Sequence, residues 1–367
     1  MPKCLVAVGL MSGTSMDGID VALLETDGED FVSRGPFRTY PYSADQRARL
    51  AKSLSEARTL TGRFERPGGL GVLERDLTSW HADAVRSFCE DTNLDRSDID
   101  VVGFHGHTIL HRPANRLTVQ LGDGALLAQL TGLSVVSDFR AADVAVGGEG
   151  APFVPVYHRA LAGAIAARPL AFVNIGGVAN ITYIGRDGQL LAFDTGPGNA
   201  LIDDWVFGHT GSPVDLDGRY ALSGRIDERL LDDLMSDRYF FQRPPKSLDR
   251  LRFKTDAVAG LTLEDGAATL TAFTARSIAA AVRHLPENPQ AWIVCGGGRR
   301  NPALMGSLEI AVKGLVMPSE AQGLNGDSLE GEAIAYLAVR SLRGLPLSFP
   351  STTRVPAPMP GGVHHTA

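Results

Sequence analysis

The sequence predicts an α/β chain assembled from two similar halves, and three observations carry that expectation. Leu5 to Val8 and Ile19 to Leu24 are apolar runs flanking the small-residue stretch Gly9 to Asp20, the pattern of a strand, a turn and a second strand. The same pattern returns as Ala171 to Ile175, the turn Gly176-Gly177-Val178-Ala179-Asn180, and Ile181 to Ile184. Each copy leads into further strands and helices, and the second half adds the strand Trp292 to Val294, the glycines 296–298 and a helix opened by Asn301-Pro302. Two such halves facing each other across a cleft place both turns against one nucleotide, with the third glycine cluster at a helix start as a further contact.

In chain order, Phe31 to Tyr42 extends the first sheet, and Ser43 followed by Gln46 is a capping box that opens a helix over 44–57. Past the Gly/Pro/Arg-rich loop Leu60 to Gly71, the recurrence of Leu73, Leu77, Trp80, Ala84 and Phe88 predicts a long amphipathic helix over 71–91. Ile99 to Phe104 reads as a buried strand entering a loop His105-Gly106-His107-Thr108, where open α/β sheets place ligands. Thr118 to Leu121 and Ser134 to Val136 are further strands about a short helix, and Pro152 to Ala166 is helical. In the second half, Leu190 to Phe193 is a strand ending at Asp194 and Asp215 to Gly224 a polar loop. Asp227 to Ser236 is a helix, Arg243 to Ser247 a Pro-marked excursion at the cleft rim, and Thr269 to His284 an Ala-rich helix. Glu330 to Arg340 is the last strong helix. The expected domains are 1–145 and 146–345, with Gly147 to Gly150 as a hinge and 346–367 as a loosely packed tail.

A chain of 367 residues with 44% apolar and 21% charged residues has the makings of a large-cored globular enzyme. Its formal charge of −7 argues against a nucleic-acid or anionic-membrane surface, so an anionic ligand must be held by backbone amides, a few placed arginines and a metal. Cys4, Cys89 and Cys295 are odd in number and scattered, which supports neither a disulfide framework nor a zinc knuckle. With no signal-peptide pattern and no long apolar span, the expected location is the cytoplasm. The P-loop, the G-x-G-x-x-G fingerprint and the G-x-S-x-G nucleophile elbow are all missing.

The first turn has no bulky residue near its tip. Gly13 and Gly18 allow positive φ, Ser12, Thr14 and Ser15 offer hydroxyls, and successive N–H groups in such a turn form a nest for phosphate oxygens. Asp17 at its exit then suits a Mg²⁺ ion between carboxylate and phosphate, acting through water. A surface hairpin in which Asp17 merely forms a turn is the alternative. His105, His107 and His111 have a spacing that permits a metal triad but lack acidic partners, so hydrogen bonding to a polar substrate is the favoured reading. Arg140 reads either as a clamp on a substrate carboxylate or as half of an internal salt bridge. Asp194, beside the glycine-rich Gly196-Pro197-Gly198, reads as a catalytic carboxylate, with a structural turn aspartate as the alternative.

Together, G-L-M-S-G-T-S-M-D-G-I-D, H-G-H-T, D-F-R-x-x-D, N-I-G-G-V-A-N, F-D-T-G-P-G-N and C-G-G-G-R-R-N resemble the anhydro-N-acetylmuramic acid kinases, from about Val6 to Leu342. The resemblance implies the actin-like ATPase fold shared with sugar kinases and Hsp70, two ribonuclease-H-like domains flanking a nucleotide cleft. It implies ATP and Mg²⁺ as cofactors and a small-molecule amino sugar as substrate. The reaction it implies serves bacterial cell-wall recycling: ATP and water convert 1,6-anhydro-N-acetylmuramic acid to N-acetylmuramic acid 6-phosphate and ADP. Relatives suggest a homodimer. Carried over by position, Gly13, Thr14, Ser15, Met16, Asp17, Gly18, Ile19 and Asp20 match the first phosphate loop. Asn174, Gly176, Gly177 and Asn180 match the second, Gly196 joins the ATP contacts, and Gly296, Gly297 and Gly298 form the adenosine-side loop. Asp194 matches the catalytic carboxylate, and His105, His107, Arg140 and Glu330 the sugar contacts. The chain departs at His107, where other members can have Gln, and at Thr195, where some have Cys. A plain hexosamine kinase and a non-catalytic nucleotide switch of the actin or Hsp70 kind are the other readings of the same two-lobed plan.

Overall fold

The apolar runs fold as central strands buried on both faces, and their connections place helices against them. The computed structural model describes residues 3–13 and 15–367, so Thr14 of the first turn lies outside the described residues. In chain order the strands are β1 Leu5–Ser12, β2 Gly18–Thr26, β3 Val32–Pro41, β4 Val101–Arg112, β5 Leu117–Leu121 and β6 Val135–Ser137. They continue with β7 Leu170–Ile175, β8 Val178–Ile184, β9 Leu190–Pro197, β10 Ala291–Cys295, β11 Leu315–Pro318 and β12 Val363–His365. The helices are α1 Ala44–Glu56, α2 Leu70–Thr92, α3 Gly124–Thr131, α4 Ala141–Ala145, α5 Pro155–Ala162 and α6 Ala200–Thr210. They continue with α7 Arg219–Ser223, α8 Glu228–Met235, α9 Leu263–Ala280, α10 Pro302–Ala311, α11 Leu329–Leu342 and α12 Pro350–Thr353.

Two compact units result, one of Met1–Gly163 with Ser328–Ala367 and one of Ala164–Asp327. The first holds a seven-stranded sheet in the order β12-β6-β4-β1-β2-β3, with β5 pairing β4. Strands β1, β2 and β3 form an antiparallel meander, and β4 and β6 follow parallel to β1. The second holds a five-stranded sheet in the order β11-β10-β7-β8-β9, again an antiparallel meander followed by two parallel strands. The same ribonuclease-H-like order therefore occurs twice, which is the echo read from the two turns.

Local signals account for many element ends. Ser43 and Gln46 form the capping box of α1, and Asn301 accepts the N–H of Leu304 at the start of α10, with Pro302 at the first helical position. Helix α2 buries Leu73, Leu77, Ala84 and Phe88, and the apolar core of the first unit forms between it and the sheet. Helix α9 is buried along nearly its whole length and contributes to both apolar clusters of the second unit, so its small side chains are a packing requirement. Helix α11 crosses β1, β2 and β4 at backbone contact distance. A Cβ on Gly9 would lie 1.9 Å from the Gly331 carbonyl oxygen, and one on Gly103 would lie 2.5 Å from that of Ile334.

Four expectations need correction. The chain divides after Gly163 and returns at Ser328, so 146–163, α11 and the C-terminal segment belong to the first unit. Residues 147–150 are fastened within it: Gly148 N–H donates to Asp143 O at 2.9 Å, Gly150 N–H to Asp143 Oδ1 at 2.7 Å, and Arg140 Nη1 to Gly150 O at 2.6 Å. They do not form a free linker. The segment 346–367 is packed as well, with Leu347 and Val355 buried, Thr353 donating to Asp143 Oδ2 at 2.6 Å, and β12 pairing β6. The histidine segment 105–108 is strand, because β4 runs on to Arg112 and pairs with β5. Its side chains are polar yet turn into the protein, so polarity there does not mark a loop.

Candidate active site

In the first unit, β1 ends at Ser12 and the following turn is closed by Met16 N–H donating to Gly13 O at 3.1 Å. Positive φ falls on Met16 and not on Gly13 or Gly18, contrary to expectation. Gly18 is required for a different reason: a Cβ there would lie 2.5 Å from the Tyr40 carbonyl oxygen across the β2-β3 pair. At Gly13 the nearest atom to such a Cβ is Ser15 Oγ at 3.6 Å, an ordinary contact, so space does not require a glycine there. Asp17 is exposed at the turn's exit, whereas Asp20 on β2 accepts from Thr39 Oγ1 at 2.6 Å and Ile19 is buried in the core.

Behind the turn lies a buried polar chain. Tyr42 donates its hydroxyl to Ser12 Oγ at 2.8 Å, and Ser12 Oγ lies 3.0 Å from His107 Nδ1, its neighbour across the β1-β4 pair. The Nε2 atom of the same ring is buried and has no hydrogen-bond partner, so the contact with Ser12 is the ring's one polar tie. His107, expected as a sugar contact, is fully buried behind the first turn. His105 Nδ1 lies 2.8 Å from Gly106 O, while Arg140 donates to His105 Nε2 from Nε at 3.1 Å and Nη2 at 2.9 Å. Arg140 is thus a fork on a neutral histidine and not half of a salt bridge. Burial lowers it to about 10, opposed by the Glu330 and Asp143 carboxylates, so it stays charged near neutral pH. Glu330 keeps contact with water at the start of α11, yet crowding by the surrounding chain raises its carboxyl and Arg140 pulls it back. His111 spends both ring nitrogens, on Thr118 Oγ1 at 3.0 Å and Glu149 O at 2.9 Å. Among the described residues no three His, Cys, Asp or Glu side chains are grouped to hold a metal, so a Mg²⁺ ion at Asp17 would draw its other oxygens from phosphate and water, as that ion commonly does.

Buried neutral histidines carry a stability consequence. Burial lowers His81 and His107 to about 4 and His105 and His158 to about 3, from an ordinary 6.5. The unfolded chain therefore takes up protons first. The stability linked to these rings is complete above about pH 6.5 and is lost as pH falls toward their folded values, up to about 2 kcal/mol per ring by pH 5. Urea unfolding midpoints should fall steeply between pH 7 and pH 5. Equal midpoints would show that these rings are not neutral in the fold.

In the second unit, Asn174 on β7, Asn180 on β8 and Asp194 on β9 are register partners in turn, a row of polar side chains across three adjacent strands. Strand β9 continues to Pro197, so Asp194 lies within a strand and not at its end. Gly177 is exposed and Gly176 half-buried, and an added Cβ at either would meet its nearest atoms at 3.7 Å, an ordinary contact. Asn199 fastens the turn from behind, its N–H donating to Gly176 O at 2.7 Å and its Nδ2 to Ile175 O at 3.0 Å. Of the third glycine cluster, Gly297 is exposed, while Gly296 has φ 72° and Gly298 packs against Ile175. Arg299 holds this loop by donating to Gly296 O at 2.9 Å and Glu320 Oε1 at 2.7 Å. Gly196 is a packing glycine, since a Cβ would lie 2.4 Å from Ser277 Oγ on α9.

Sequence reasoning did not single out Tyr42, Asn199 or Arg299, nor Tyr239, Lys246 and Leu248, which surround Asp194. Leu248 N–H donates to Asp194 Oδ2 at 2.8 Å and Tyr239 donates its hydroxyl to Asp194 O at 2.6 Å. The only signal was the Pro-marked excursion 243–247, which placed a loop near a site without naming the residue it serves.

Two ribonuclease-H-like sheets, each with a small-residue turn between its first two strands, define the class: the two-unit nucleotide-binding fold of the actin-like ATPases and sugar kinases. The sequence model for anhydro-N-acetylmuramic acid kinase matches residues 5–364. An anhydro-N-acetylmuramic acid kinase of Paramagnetospirillum magneticum is 53% identical over 364 residues, covering 98% of this chain and 99% of its own length. Those of Nitrobacter winogradskyi and Methylobacterium nodulans are each 52% identical, covering 98% and 97% of this chain and 99% and 98% of their own. The chain belongs to the anhydro-N-acetylmuramic acid kinase family.

Proposed function

We propose that this protein uses ATP and water to open the internal bridge of 1,6-anhydro-N-acetylmuramic acid and phosphorylate O6, giving N-acetylmuramic acid 6-phosphate and ADP. The observation that carries the reading is the position of Asp194, a carboxylate anchored in β9 beside Asn180 and the glycine turn of a chain 53% identical to a named member of the family. Asp194 takes the proton of a water at the anomeric carbon. The bridge oxygen then leaves as O6, and since a sugar alkoxide is a poor leaving group it departs into an in-line γ-phosphoryl. The N–H groups of the two small-residue turns, at Gly13, Gly176 and Gly177, hold phosphate oxygens and stabilise the charge developing on them. Mg²⁺ at Asp17 supplies further neutralisation of the phosphates when bound. Glu330 and the remaining Nη1 and Nη2 protons of Arg140 orient the sugar, while His105 and the Gly150 carbonyl hold Arg140 in place.

Incubation with Mg²⁺, ATP and the anhydro sugar should yield a product heavier by one water and one phosphoryl group in mass spectrometry. Phosphorylation of open N-acetylmuramic acid with the anhydro sugar left intact would make it a plain hexosamine kinase. Arg140→Lys cannot reproduce a planar fork on His105 and Gly150, so it should raise KM for the sugar by about tenfold or more while KM for ATP stays within about twofold. Equal KM values for the sugar would remove Arg140 from the sugar site. A homodimer belongs to the same reading and is checked by light scattering.

A further inference from the structure

Asp194 is held by a segment that the family motifs do not include. Lys246 Nζ donates to the Tyr239 carbonyl at 2.8 Å, Tyr239 donates its hydroxyl to the Asp194 carbonyl at 2.6 Å, and Asp194 N–H donates to the Lys246 carbonyl at 3.0 Å. The three bonds close a ring that joins the strap 239–248 to β9. The product of that closure is a fourth bond, Leu248 N–H to Asp194 Oδ2 at 2.8 Å, which fixes the rotation of the carboxylate. The start of the strap is fastened separately, because Asp237 Oδ1 accepts from Tyr239 N–H at 2.7 Å and from Arg252 at 2.6 Å.

Lys246 is only 8% exposed, and its ammonium lies 4.3 Å from the centre of the Tyr239 ring and 5.8 Å from that of Phe193. Burying a lysine to satisfy one backbone carbonyl is a costly way to brace a loop, since a neutral donor would serve. A cation there has a second effect: Asp194, whose backbone N–H meets the Lys246 carbonyl, feels it as an opposite charge that favours its ionised form. The groups around it are Asp194 from β9, Tyr239 from its own strap, and Arg283 and His284 from the turn after α9. Burial lowers Lys246 to about 8, with Arg283 adding to the effect and Asp194 opposing it, so the ammonium persists at neutral pH.

We propose that Tyr239 and Lys246 are positioning residues for the Asp194 carboxylate: Tyr239 fixes its orientation through the strap, and Lys246 both braces the strap and keeps the carboxylate ionised. This rests on Asp194 being the base of the reaction. The test compares Tyr239→Phe, Lys246→Met and Asp194→Asn in the full chain with saturating Mg²⁺-ATP and anhydro sugar. Tyr239→Phe should lower kcat by about tenfold, with both KM values within about twofold, because binding does not depend on the carboxylate's aim. Lys246→Met should lower kcat at least as much. It should also move the acid limb of the kcat profile to higher pH, since a carboxylate that loses a neighbouring cation holds its proton more tightly. The acid limb of Tyr239→Phe, which keeps the ammonium, should stay in place.

Wild-type kcat and an unmoved acid limb in both variants, alongside an inactive Asp194→Asn, would overturn the positioning role and leave Asp194 as the base. An active Asp194→Asn would overturn the base itself. If Lys246→Met fails to melt cooperatively, Tyr239→Phe decides the matter alone: it removes one oxygen atom, and a kcat within twofold of the parent would refute the proposal.

Discussion

Replacing Asp194 by Asn is expected to lower kcat by about 10³-fold or more while leaving ATP and sugar affinity within a few-fold. The substitution keeps the side chain's volume and an oxygen able to accept from Leu248 N–H, so the strap and the row of Asn174, Asn180 and residue 194 remain in place. What is lost is the capacity to take a proton from water. Because the same event opens the ring and frees O6 for the phosphoryl group, losing it should silence ring opening and phosphorylation together. Titration calorimetry with both ligands, set beside product formation, separates this outcome from a folding defect. A variant that binds normally and still turns over would remove Asp194 from the chemistry.

Gly9→Val is expected to be the most damaging single change to the fold. The added Cβ would lie 1.9 Å from the Gly331 carbonyl oxygen and 2.6 Å from the Ala335 nitrogen, and both contacts are backbone of α11, which no rotamer can relieve. Overpacking of this kind costs about 3 kcal/mol or more. It would also push α11 off the sheet and carry Glu330 with it, so activity should fall along with the thermal midpoint. Gly306→Ala in α10 is the matching control: nothing lies within 4 Å of the added carbon, and alanine is the better helix former, so it should stabilise by about 0.5–1 kcal/mol. A Gly9→Val protein as stable as the parent would mean that α11 does not approach β1 this closely.

The two substitutions mark what the sequence makes legible. Strand, small-residue turn and strand are local and apolar, so both turns, the capping box at Ser43 and the cap at Asn301 can be read from neighbours along the chain. The need for glycine at 9 and 103 cannot, because it arises where α11 returns from more than two hundred residues away to lie across β1 and β4. The same holds for the strap: Tyr239 and Leu248 meet Asp194 across separations of 45 and 54 residues, with no periodicity to announce them. The domain boundary was misplaced for a related reason. Gly147 to Gly150 has the composition of a linker, but Asp143 and Arg140 hold its backbone, and α11 looks like a continuation of the second half until its packing partners are known. The burial of His107 against Ser12 is equally silent in the sequence, because a polar residue that turns inward carries the same letter as one that turns outward.

One water, activated by Asp194, is expected to enter at the anomeric carbon while the bridge oxygen stays with the sugar as O6 and receives the phosphoryl group. Running the reaction with Mg²⁺, ATP and 1,6-anhydro-N-acetylmuramic acid in ¹⁸O water, and fragmenting the sugar product before anomeric exchange, tests this directly. A single ¹⁸O at the anomeric position and none in the phosphoryl group or in O6 is the predicted result. Label in the phosphoryl group, with an unlabelled or unopened sugar, would show that water attacks phosphorus and would contradict the account.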